Sequence, residues 1–184
     1  MDGRPRIVCD LAHCLGCRRC QLACAAAHPE PQAAAPDGLR AAADDLLAVV
    51  RALRSGAAPP RSRVVVRPFA AGGLPVRCQQ CEEPPCVDAC IAAARRRDVA
   101  TGKLAEDPER CVGCFLCLMV CRYGASVVSA DGQRVVRCDL CQGRAAGPAC
   151  VEACPCGALR LEEGAGGQPT ADAAAAGEGR GCAA

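Results

Sequence analysis

Sixteen of the nineteen cysteines in this 184-residue chain fall into four groups of four, and no other feature constrains its fold as tightly. Cys14, Cys17, Cys20 and Cys24 lie in CLGCRRCQLAC, and Cys78, Cys81, Cys86 and Cys90 in CQQCEEPPCVDAC. Cys111, Cys114, Cys117 and Cys121 lie in CVGCFLCLMVC, and Cys138, Cys141, Cys150 and Cys154 in CDLCQGRAAGPACVEACP. Each group opens with C-x2-C and closes with C-x3-C. The first and third share one short spacing, while the second and fourth are longer in the middle. This is a repeated unit.

Little else in the chain could hold a fold together. Hydrophobic residues make up 51%, but 38 of them are Ala and 19 are Cys. Leu, Ile, Val and Phe together number 34, too few for a large aliphatic core. The 22 basic and 20 acidic residues leave a net charge of +2, which argues against a nucleic-acid binder that relies on phosphate contacts. No apolar run approaches the roughly 20 residues of a membrane helix. The start, MDGRPRIVCDLAHC, has neither an apolar signal core nor a twin-arginine motif. These features predict a cytoplasmic protein without direct membrane insertion, associated with a membrane at most through a partner. Thiols stay reduced in that compartment, so metal is expected before disulfides.

An iron–sulfur cube needs four thiolates around one compact anion. In C-x2-C-x2-C a tight loop aims three sulfurs at three corners, and its amide N–H groups face the cluster's negative charge. The fourth corner is met from elsewhere. The run C-x2-C-x2-C-x3-C-P is the two-cluster signature in which the last Cys serves the other cluster. Motifs therefore work in pairs, and four motifs predict four 4Fe-4S clusters. Spacing leaves open which motifs pair. The rival reading is a zinc-binding interaction module built on C-x2-C pairs, but a third Cys three residues on has no natural place in a tetrahedral site. A C-x3-C-x2-C run is absent, and nothing resembles a nucleophile–base pair. The chain is expected to have no catalytic site of its own.

The four motifs in this order, with PPC inside the second and RCDLC opening the fourth, resemble the four-cluster ferredoxin-type electron-transfer subunits, the dimethyl sulfoxide reductase iron–sulfur subunit superfamily. PRSRVVV, CVGCFLCLMVC and CDLCQGR resemble most the small iron–sulfur carriers of carbon monoxide dehydrogenase and hydrogenases. The resemblance covers residues 5–163 and implies an α+β fold of two intertwined ferredoxin-like dicluster lobes, with short strands and helices around the clusters. Lobe one would take residues 5–28 with 132–163, and lobe two residues 62–131. The resemblance also implies the ligand sets. One is Cys14, Cys17, Cys20 and Cys154; its neighbour is Cys138, Cys141, Cys150 and Cys24. The third is Cys78, Cys81, Cys86 and Cys121, and the fourth Cys111, Cys114, Cys117 and Cys90. The implied partners are a redox enzyme subunit (carbon monoxide dehydrogenase, hydrogenase or, as the alternative, a molybdopterin oxidoreductase) and an electron donor or acceptor protein.

The remaining segments carry weaker signals. Residues 29–61 read as a linker, PEPQAAAP, followed by an amphipathic helix over 37–55 with Leu39, Ala43, Leu46, Val50 and Leu53 on one stripe. Strands are expected at 63–67 and 134–137. Residues 164–184 read as a disordered tail. Cys9 is expected in the core, Cys156 beside a cluster, and Cys182 without a role. His13 and His28 are expected in ordinary loops, and Phe115 and Tyr123 beside clusters. Relatives usually carry Pro after the last Cys of several motifs; here Ile91 follows Cys90 and Arg122 follows Cys121, and only Cys154 is followed by Pro155. Arg122 is expected either to project into water or to sit as a cation near the third ligand set.

Overall fold

The computed structural model describes residues 4–28, 61–70 and 72–162. The linker, the helix expected over 37–55 and the tail from 164 lie outside the described residues.

Among the described residues, eight short strands form four separate antiparallel ribbons: β1 (Arg6–Cys9) with β8 (Leu159–Glu162), β2 (Val65–Phe69) with β3 (Gly72–Val76), β4 (Arg95–Arg97) with β5 (Leu104–Glu106), and β6 (Ser126–Val128) with β7 (Val135–Arg137). The strand expected at 134–137 is β7. The one expected at 63–67 is β2, displaced toward Phe69 and completed by β3, whose Gly and Pro content hid it. Two-stranded ribbons are marginal in isolation, so each needs something to lie on.

Four helices among the described residues supply part of that support: α1 (Arg19–Ala27), α2 (Pro85–Asp88), α3 (Leu116–Met119) and α4 (Ala149–Glu152). α1 packs on α4 and α2 on α3. Their starts follow the two kinds of cysteine motif. Pro84-Pro85 and Pro148 open α2 and α4, where a fixed φ preorganises the first turn. Arg18 and Phe115, both in the left-handed conformation, turn the chain into α1 and α3. No helix among the described residues is long and apolar enough to cross a membrane. Short strands with a few short helices make this a small α+β fold.

The core is unusual in content. Eleven buried residues form its main cluster, and five of them are Cys20, Cys24, Cys78, Cys138 and Cys150. The rest are aliphatic: Ile7, Val64, Val66, Leu104, Leu140 and Leu159. Cys9 packs half-buried against this cluster, as expected. The β2–β3 ribbon lies directly on the first motif: a Cβ on Gly72 would stand 2.0 Å from the Cys14 carbonyl oxygen.

The chain turns in the same way after three of the motifs. The amide of the third residue beyond the last cysteine donates to that cysteine's carbonyl, at Ala93 to Cys90, Gly124 to Cys121 and Gly157 to Cys154. All three residues have positive φ, and Ala93, at φ 47°, is the one with a Cβ. Ala93→Gly is expected to raise the unfolding free energy of the anaerobic protein by about 0.5–1 kcal/mol, because relief of the left-handed penalty exceeds the cost of the extra unfolded-chain entropy that Gly brings. Gly124→Ala, which meets open space, should lower it by about 1–2 kcal/mol. Gly72→Ala has no room at all; it should lift the ribbon from the first motif and speed loss of iron to a chelator well beyond the rate of the parent.

Candidate metal centres

The helices and turns decide where the sulfurs meet. The C-x2-C segments bend through left-handed residues: Gly16 and Arg18 in the first motif, Gln80 in the second, Gly113 and Phe115 in the third, and Leu140 with Cys141 in the fourth. A backbone bent this way brings successive cysteines to the same side. α1 carries Cys20 and Cys24, α4 carries Cys150, α2 carries Cys86 and α3 carries Cys117.

Two cavities open between these elements. Cys14, Cys17, Cys20 and Cys154 all line the first. Val66 and Pro75 of the β2–β3 ribbon close one side, and Cys156 also borders it. The other is lined by Cys78, Cys81, Cys86 and Cys121, with Arg137 and Leu104 in its wall. Most of the remaining motif cysteines also gather. Cys150 lies near Cys138, Cys24 and Cys141, and Cys117 near Cys111, Cys90 and Cys86. Cys114 is exposed on the turn before α3, and Cys17 is exposed in the first motif. All sixteen are free of disulfides.

The chemistry of these groups fits a multivalent metal cluster. Burial, together with neighbouring Cys17, Cys14 and Cys154, pushes the Cys20 thiol up to about 11. Burial pushes Cys138 up to about 12, and Cys150 is raised by burial and by Cys138, Cys24 and Cys141. Without a cation, such crowded sulfurs hold their protons. Thiolate is the ligating form, so metal binding must expel those protons and supply the positive charge that lets four sulfurs share one cavity. Several sulfurs already accept hydrogen bonds that favour a thiolate. The Arg63 amide lies 3.3 Å from Cys24 Sγ, the Ala125 amide 3.4 Å from Cys121 Sγ, and Gln80 Nε2 3.7 Å from Cys78 Sγ.

His28 is more than a loop residue. Its Nδ1 lies 2.8 Å from the Cys24 carbonyl oxygen and 3.7 Å from Cys24 Sγ, and its Nε2 lies 3.0 Å from Asp139 Oδ1. Asp139 is also held by Arg63 at 2.7 Å and by the Cys141 amide at 2.9 Å. Burial opposes protonation of His28, but Asp139, Cys141 and Cys24 outweigh it and raise its pKa to about 12. His28, Asp139 and Cys141 stand within one small group, yet each is engaged with the Cys24 and Cys141 environment, so the group belongs to those cysteines. The signal was in the sequence: His28 is four residues after Cys24, on the same helical face. His13, in contrast, bonds exposed to Asp10 at 2.9 Å. Arg122 and Tyr123 are exposed at the rim of the second cavity. The buried cation there is Arg137, which the spacing did not single out.

Residues 71–164 match the 4Fe-4S dicluster domain family. The chain is 35% identical to the putative electron transport protein YsaA of Escherichia coli K12 over 156 residues, covering 84% of this chain and 87% of that protein. It is 36% identical to an iron-sulfur protein of Rhodospirillum rubrum over 165 residues, covering 81% and 77%. It is 33% identical to the electron transport protein HydN of Escherichia coli K12 over 172 residues, covering 83% and 85%. These likenesses favour iron–sulfur chemistry over zinc, and the chain belongs to the ferredoxin-type family of 4Fe-4S electron-transfer proteins.

Proposed function

We propose that the chain carries four 4Fe-4S clusters and relays electrons between a catalytic partner and a second redox protein, with no catalytic site of its own. The observation that carries this reading is the meeting of cysteines from different motifs in one place, above all Cys154 with Cys14, Cys17 and Cys20, and Cys121 with Cys78, Cys81 and Cys86. Both meetings join three cysteines of one motif to the last cysteine of another, as the two-cluster arrangement requires.

On this reading the ligand sets are Cys14, Cys17, Cys20 and Cys154; Cys138, Cys141, Cys150 and Cys24; Cys78, Cys81, Cys86 and Cys121; and Cys111, Cys114, Cys117 and Cys90. Lobe one combines residues 5–28 with 132–163, a division supported by the β1–β8 pairing and by α1 packing on α4. Lobe two spans 62–131, supported by α2 packing on α3. Each bound cluster supplies a centre that takes up and gives back one electron. The polypeptide sets each potential through burial and N–H groups aimed at sulfur.

Electrons need places to enter and leave. Cys17 and Cys114 reach the surface in different lobes. Leu15 is exposed beside the first, and Val112, Leu116 and Met119 beside the second. Apolar surface around an exposed ligand suits a transient docking face that excludes water. The partners on this reading are a cytoplasmic carbon monoxide dehydrogenase- or hydrogenase-type enzyme and a second electron carrier; a molybdopterin oxidoreductase is the alternative. A further relative, matched over 29% of its length, is named as the beta subunit of an NADH-dependent phenylglyoxylate dehydrogenase, which supports a place beside a redox enzyme.

Anaerobic analysis of iron and acid-labile sulfide should give about sixteen of each per chain; about eight would leave room for only two clusters and contradict the reading. Cys24→Ser should abolish or alter the electron paramagnetic resonance signal of the cluster on Cys138, Cys141 and Cys150. Damage confined to the cluster on Cys14, Cys17 and Cys20 would show the pairing to be wrong.

A further inference from the structure

Arg137 ends β7 and is 2% exposed, in RCDLC at the start of the fourth motif. Its Nη1 reaches the Cys138 carbonyl oxygen at 3.4 Å, a weak bond, while Nε and Nη2 have no hydrogen-bond partner. The nearest carboxylate, Glu106, stands 4.0 Å from Nε, beyond hydrogen-bond reach. Glu106 is itself shared: its Oε2 lies 3.6 Å from Arg95 Nη2, and Arg95 is 5% exposed with its own Nη1 unpartnered. Two buried guanidiniums and one carboxylate leave one positive charge in the interior uncompensated. A buried, unpaired cation is strongly unfavourable unless an anion lies nearby. Arg137 lines the cavity shared by Cys78, Cys81, Cys86 and Cys121.

We propose that Arg137 is the internal counter-cation of the cluster held by those four cysteines, that its orphaned N–H groups donate to that cluster's sulfur, and that it biases this cluster toward its reduced state. The proposal rests on the ligand set given above and adds a residue that sets a potential. A guanidinium stays charged at any working pH and presents its donors in a fixed fork. Charge-assisted hydrogen bonds to an anion are among the stronger ones. Reduction adds one negative charge to the centre that Arg137 faces, so the attraction grows on reduction and the potential rises. No bond forms or breaks. One electron arrives from the redox partner, and the arginine keeps its proton. Burial makes the effect resistant to salt, unlike that of an exposed charge such as Arg122.

The test is a redox titration of the anaerobic holoprotein followed by electron paramagnetic resonance. Cys81→Ser first identifies the signal of this cluster. Arg137→Met should then shift that signal's equilibrium toward oxidation about tenfold, ~59 mV for one electron, at low and high salt alike. Arg137→Lys, which keeps the charge, should shift it less, and Arg122→Gln less than Arg137→Met. A fully loaded Arg137→Met protein with that potential unchanged would overturn the proposal, as would a shift in a different signal from the one Cys81→Ser identifies. If Arg137→Met fails to hold its iron, iron content in Arg137→Lys decides: retention supports the counter-cation and equal loss overturns it. Unaltered signals in Cys81→Ser would instead overturn the ligand set, and the proposal with it.

Discussion

The convergence of cysteine sulfurs from distant parts of the sequence is the interaction on which the rest of this structure depends. The four two-stranded ribbons and four helices of the described residues, three of the helices only four residues long, cannot stabilise one another through aliphatic packing alone. Five cysteines occupy the heart of the main core cluster, where a protein of this size would ordinarily place leucine or phenylalanine. Crowded, buried thiols are poor neighbours unless a metal binds them, because burial and mutual repulsion both oppose ionisation. On the four-cluster reading, metal binding converts that liability into the principal source of cohesion, and cluster binding energy becomes folding energy.

Charge in the interior follows from the same constraint. Arg77, Arg95 and Arg137 are all buried, and each has at least one guanidinium nitrogen without a partner. Arg77 spans to the Ile7 and Pro75 carbonyls, tying β1 to the end of β3. In a conventional core three such residues would be strongly destabilising. On the four-cluster reading they stand as counter-ions to anionic centres, and the groups that balance charge for folding would also bias redox states.

The sequence was legible where the chemistry needs fixed spacing. The sixteen motif cysteines, the strand at β7 and the core position of Cys9 all follow from local pattern. Other features depend on partners far along the chain. β1 and β8 pair residues about 150 apart (Cys9 with Leu159, Arg6 with Glu162), and four-residue strands show too little alternation to announce themselves. β4 is an RRR run with no alternation to mark it as a strand, and Arg95 is buried opposite Glu106 in the ribbon. Arg137 was visible as part of RCDLC, but its burial is set by β6 and the second cavity, which no local pattern encodes. Arg122 stood out because it replaced an expected proline, and it lies exposed at the cavity rim.

Amide hydrogen exchange of the anaerobic protein before and after iron chelation tests the central claim most directly. Removal of iron should abolish protection across the β1–β8 and β6–β7 ribbons together, because the sulfurs that anchor them lose their common centre. Native-like protection in the iron-free chain would show that packing and hydrogen bonds suffice, and would contradict the account.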